Sequence, residues 1–227
     1  ADSKKVFSQA KGVGPLEPAV LGFVPAGTFA GLLERLGAPL PETPWYRAPL
    51  PLPAVPALPG LDGAFARFVE PAEFNVETAE RNKSDFLFAI AAELINRVRA
   101  AHPGSIRFVV GKQGGRRFYL HGIRRLISPE VMVIEETAGR SAYRIPEGVI
   151  EFLRDAEDRH ELVALASMIG KYARECAMRL FNDYWALERP GLRRTAGYGL
   201  DGRRFFREIE PELRRLGIPA GAVLRGR

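Results

Sequence analysis

Eight prolines fall within residues 38–60 (Pro39, Pro41, Pro44, Pro49, Pro51, Pro53, Pro56 and Pro59) and limit the fold more than any other feature of this chain. Each lacks a backbone donor and fixes φ, so neither a helix interior nor a central strand can run through the segment. The reading is an extended surface loop, inserted into an otherwise single domain spanning residues 1–227.

Helical and strand periodicities resume on either side. Phe29, Leu32, Leu33 and Leu36 recur at helical spacing behind a Thr28 cap. Ala64–Val69 reads as a short strand. Lys83–Ala101 reads as a helix opened by Asn82 or Ser84, with Phe86, Ala89, Ile90, Leu94 and Val98 as its buried stripe. Strands are expected at Ile106–Val110, Val131–Ile134 and Ala142–Ile145, with Ala138 and Gly139 turning between the last two, and helices at about 148–155, 161–188 and 202–216. This order predicts an α/β or α+β sheet domain with a helical C-terminal part.

The net charge of +6 is unevenly placed: residues 171–227 hold 13 Lys and Arg against 7 Asp and Glu, the whole excess. Clustered guanidinium groups favour a polyanionic partner, because they neutralise phosphates and release counterions. Cys176 is the single cysteine and His102, His121 and His160 are scattered, which argues against a disulfide framework and a zinc centre. The absence of a long apolar run and of an apolar leader gives a cytoplasmic location, with no membrane partner, as the expectation.

One helical segment carries the most chemistry. In Val163–Glu175 and just beyond, Ser167, Lys171, Arg174 and Met178 follow one another on one helix edge, while Leu165, Ile169, Tyr172 and Cys176 line a neighbouring apolar face. A hydroxyl and two cations in a row suit a phosphate backbone, Lys as a point charge and Arg as a fork of donors.

This segment resembles the Ala-Ala-Ser-x-x-Ala-Lys-x-x-Arg-Asp helix of the type 2 ribonuclease H family, ribonuclease HII and its relatives. Thr195-Ala-Gly-Tyr198-Gly is similar to that family's His-Lys-Gly-Tyr-Gly, and Asp2-Ser3-Lys4-Lys5 to its Asp-Ser-Lys-Lys, in the same order. The resemblance is firm over residues 150–210 and thin over 12–104. It implies a ribonuclease H-like mixed sheet flanked by helices. It also implies endonucleolytic cleavage of the RNA strand of RNA–DNA hybrids or ribonucleotide-containing duplexes, by two divalent metals, Mg²⁺ or Mn²⁺, on four carboxylates. By the same carry-over Asp2, Ser3, Lys4, Ser167, Lys171 and Arg174 belong to the substrate-binding set. Tyr198 is expected either on a sugar at the RNA–DNA junction or as a buried, hydrogen-bonded tyrosine.

The departures from the family pattern fall on the catalyst. The family's Asp-Glu strand and glycine-rich turn precede its Asp-Ser-Lys element, whereas this sequence opens beside that element, so it reads as a fragment or as a homologue without that pair. The third carboxylate is expected at the end of Ile106–Val110, where Gly111 stands. Counting back from Ser167 puts the fourth on Glu157, with Asp155 and Asp158 beside it, so Glu157 and Asp155 are the expected metal ligands and all three the expected catalytic acids. One acidic cluster cannot hold two metals about 4 Å apart, which leaves a non-catalytic nucleic-acid-binding homologue as the alternative.

Two further stretches compete for function. Gly111–Arg117 follows a strand but lacks the Gly-Lys-Ser/Thr and the immediate helix of a P-loop; its backbone beside Arg116 and Arg117 could contact phosphate as a nest, or simply turn. Glu135 and Glu136 end a strand and point to opposite faces, so at most one could replace a missing ligand.

Overall fold

The computed structural model describes residues 12–226. In chain order it contains α1 (Glu17–Phe23), α2 (Phe29–Arg35), α3 (Pro71–Glu80), α4 (Lys83–Ala101), β1 (Ile106–Gly111), α5 (Leu120–Leu126), β2 (Met132–Glu136), β3 (Arg140–Ile145), β4 (Gly148–Leu153), α6 (Glu161–Glu188) and α7 (Gly199–Leu216). It is an α/β protein with a four-stranded mixed sheet flanked by helices. By internal contacts the chain falls into two units, 12–20 with Arg81–Gly170, and Leu21–Glu80 with 171–226.

The first unit holds the sheet, in the order β1-β4-β3-β2. β1 runs parallel to β4, Ile106 opposite Gly148 and Gly111 opposite Leu153, whereas the β2–β3 and β3–β4 pairs are antiparallel. Gly148 has φ +148°, and a Cβ there would lie 1.9 Å from the Ile106 carbonyl oxygen, so β4 can start against β1 only through glycine. Residues 148–155, read from sequence as helical, are therefore mostly strand. Val149, Ile150, Phe152 and Leu153 fit helical spacing, but Ile150 and Phe152, two apart, both enter the core, as strand pleating requires.

That core stacks Tyr119 on Phe152 with centroids 3.7 Å apart, with Phe88 tilted against both rings. Phe88 comes from α4, whose first turn is capped by the Asn82 side chain accepting from the Asp85 amide at 2.9 Å. The buried stripe of α4 is Phe86, Phe88, Ala92 and Ile95, rotated from the expected set because Phe88 fills the space left by Gly122 on α5. On β4, buried Glu151 is held by Arg107 at 2.5 Å and Arg140 at 2.6 Å, and these two cations keep its carboxyl below its ordinary value despite the opposing cost of burial.

The second unit packs around Trp45, Trp185, Phe205, Ile209 and Leu213. Trp45 lies within the proline-rich segment, so the segment is more than a surface loop. Its indole is 3% exposed and stacks on Trp185 at 6.5 Å, and Leu50 accepts a backbone bond from Phe29. Residues 64–69, expected as a strand, belong to no sheet among the described residues; the Ala66 amide donates to the Leu36 carbonyl at 2.9 Å.

Candidate nucleic-acid interface

α6 spans Glu161–Glu188, as its periodicity predicts, and its expected apolar residues Leu165, Ile169, Tyr172 and Cys176 are all buried. Ser167 is half-buried in the first unit, and Lys171 and Arg174 follow in the second. The two cations are not presented freely. Both converge on Glu175 Oε1, Lys171 at 2.9 Å and Arg174 at 2.7 Å.

Arg174 also reaches across to the second motif. Its guanidinium donates to the Ala196 carbonyl at 2.5 Å and lies over the Tyr198 ring at 4.1 Å from the centroid. Tyr198 is 54% exposed, so it is not the buried tyrosine offered as one reading, but an open ring backed by a cation. The motif helix and the motif loop, some twenty residues apart in sequence, thus meet at Arg174.

Two residues without a sequence signal of their own hold that loop. Asn182 is buried on α6; its side chain accepts from the Thr195 amide at 2.8 Å and donates to the Thr195 carbonyl at 2.9 Å. Asp201, in the first turn of α7, accepts from the Thr195 hydroxyl at 2.7 Å, the Ala196 amide at 3.1 Å and Arg204 at 2.9 Å. Those bonds, led by the Thr195 hydroxyl and Arg204, lower its carboxyl to about 2. Gly197 follows with φ +75°, its α-carbon turned toward Met178.

The basic excess of residues 171–226 is largely paired internally. Arg189, Arg193, Arg194, Arg204, Arg214 and Arg215 each meet a carboxylate. Among the described residues Arg203 and Arg207, four apart on the exposed side of α7, meet none within salt-bridge distance.

The acidic cluster lies at the C-terminal end of β4. Asp155 takes the left-handed conformation, φ 52°, and is exposed; Ala156–Asp158 form one 3-10 turn with Glu157 half-buried. Gly111 ends the adjacent β1, and the Lys112 amide bonds to the Leu153 carbonyl at 2.9 Å. Lys112 and Arg154, which follow β1 and β4, cover the β2–β3 turn. Among the described residues no three His, Cys, Asp or Glu side chains are grouped to hold a metal ion. The residues described do not fit a pair of divalent metals. Asp2, Ser3 and Lys4 lie outside the described residues.

Glu135 and Glu136 are engaged elsewhere. Glu135 pairs with Arg140, and Glu136 accepts from the Tyr143 hydroxyl, which burial and that carboxylate raise well above the ordinary tyrosine value. Residues 112–119 carry no helix before α5, so Gly111–Arg117 is not a P-loop.

No helix of the described residues is long and apolar enough to cross a membrane. No family model, curated protein or solved structure matches this chain.

Proposed function

We propose that this chain is a divergent relative of the type 2 ribonuclease H family that binds RNA–DNA hybrid or ribonucleotide-containing duplex. The contact of Arg174 with both Ala196 and Tyr198 carries the reading, because it unites the two motifs on which the resemblance rests. Ser167, Lys171 and Arg174 contact the phosphate backbone, and the open Tyr198 ring packs against a sugar. The parallel β1–β4 pair, with an acidic turn after β4, also suits a ribonuclease H-like sheet.

The binding reading is favoured over cleavage. The resemblance calls for Mg²⁺ or Mn²⁺ on four carboxylates, whereas among the described residues no three metal-ligating side chains are grouped, and Gly111 stands where the third carboxylate is expected.

The test is an anisotropy titration of a labelled RNA–DNA hybrid at rising salt, with a cleavage assay in Mg²⁺ and Mn²⁺ alongside. Binding that weakens steeply with salt, reduced by Lys171→Ala with Arg174→Ala, is expected, with little or no cleavage. Absent binding at low salt would end the reading. Robust cleavage lost in Glu157→Ala would restore the two-metal enzyme.

A further inference from the structure

Three basic side chains of the first unit gather where the resemblance calls for an acid. β1 ends at Gly111 opposite Leu153 of β4, so Lys112 and Arg154 leave neighbouring strands side by side. The turn Thr137–Gly139 holds both. Lys112 Nζ donates to the Thr137 carbonyl at 2.7 Å, the Arg154 guanidinium to the Ala138 carbonyl at 3.3 Å, and the Arg154 amide to the Gly139 carbonyl at 2.9 Å. The Arg117 backbone is held by its carbonyl, which accepts from the Ser141 hydroxyl at 2.7 Å, and its charge acts on Lys112.

Among the described residues none of the three reaches a carboxylate within salt-bridge distance; Glu135, the acid that acts on Lys112 from further away, is itself committed to Arg140 and Thr137. Partial burial first, then Arg117 and Arg154, lower the Lys112 ammonium from its ordinary value. Lys112 and Arg154, brought together by the carbonyls of one turn, repel each other and Arg117, and an anion seated among them removes that repulsion.

We infer that Lys112, Arg117 and Arg154 form a phosphate-binding site at the C-terminal ends of β1 and β4, which takes a backbone phosphate of the bound nucleic acid. The nucleic-acid source rests on the proposed function; the phosphate chemistry does not. The site is separate from the Arg174–Tyr198 contact and uses side chains of the first unit alone. Lys supplies a mobile point charge, and the two guanidinium groups supply paired donors matched to phosphate oxygens.

Two arms on the full chain test it. In the first, tripolyphosphate at low salt is expected to raise the melting temperature of the wild type and not of a Lys112→Gln, Arg117→Gln, Arg154→Gln variant; Arg203→Gln with Arg207→Gln, which removes the same kind of charge elsewhere, should keep the response. No response in the wild type, or one retained by the triple variant, overturns the site. Should the triple variant fold poorly, each single Gln variant is read the same way, and a response intact in all three overturns it equally.

In the second arm, the slope of hybrid affinity against salt is expected to fall by about 0.9 in the triple variant, the share of the one phosphate that is no longer neutralised. An unchanged slope in a variant without the tripolyphosphate response overturns the nucleic-acid source and assigns the site to a free phosphate compound. Failure of the proposed function is a different result, the wild type not binding hybrid at all.

Discussion

Glu175 sits between the two cations that the sequence offers to a phosphate backbone, so replacing it with Gln should tighten binding of nucleic acid rather than weaken it. Its Oε1 lies 2.9 Å from Lys171 and 2.7 Å from Arg174, and all three side chains are only 20–31% exposed. A phosphate drawn to either cation would stand roughly 6 Å from that carboxylate, which at an effective dielectric of about 60 repels it by about 1 kcal/mol. Glu175→Gln keeps the shape and a weaker hydrogen bond while removing the charge. The expected gain in affinity is about five-fold, with a salt slope steeper by about 0.9, the equivalent of one further phosphate neutralised. The assay is the anisotropy titration of labelled hybrid from about 50 to about 200 mM salt, beside a melting curve that checks the fold. An affinity unchanged or weakened in a well-folded Glu175→Gln protein would refute the placement of phosphate at Lys171 and Arg174.

Three further outcomes concern the scaffold. Asp201→Asn should loosen the Thr195–Tyr198 loop and cost about 1 to 2 kcal/mol at neutral pH, read by thermal melting. Because the folded carboxyl titrates at about 2 instead of 3.8, its contribution is complete above 3.8 and is lost as pH falls from there toward 2, a window in which the Ala196 amide resonance should shift in the wild type but not in the variant. Gly122→Ala would bring a Cβ within 2.4 Å of the Phe88 ring and should destabilise by about 1 to 3 kcal/mol, measured by denaturant midpoint. Trp45→Ala should cost about 3 to 5 kcal/mol, since it empties a buried aromatic position; a loss below about 1 kcal/mol would return the proline-rich segment to a simple surface loop.

What could be read in the sequence depended on the range of the forces involved. α6 and the Asn82 cap of α4 were legible because a long period and a local side-chain bond need no distant partner. β4 was not, because Val149, Ile150, Phe152 and Leu153 satisfy helical spacing as well as alternation, and only pairing with β1 and β3 decides between them. Ala64–Val69 failed for the converse reason, a strand-like composition with no neighbouring strand. Helices α1, α3 and α5 are short and weakly patterned, and none was anticipated.

At the candidate interface the cations were legible, and of their neutralisation only the part at helical spacing was. The pairing of Lys171 with Glu175 has the i,i+4 spacing of a helical ion pair and was there to be read, whereas Glu175 follows Arg174 directly, and only the long Arg side chain closes that gap. Asn182 gave no signal of its own, because its role depends on the Thr195 loop returning to it. The Lys112–Arg154 juxtaposition depends on the parallel register and has no trace along the chain.

Trp45 and Trp185 are the chain's two tryptophans, and they stack on each other in the core of the second unit. The protein is consequently labelled for spectroscopy by its own composition. Tryptophan emission, and any exciton signal from the stacked indoles, follows the melting of that one unit, while far-ultraviolet circular dichroism follows the helices and strands of both. Recording both during a single thermal ramp compares that unit with the whole chain without a label, and transitions that coincide would show that the chain unfolds as one cooperative body.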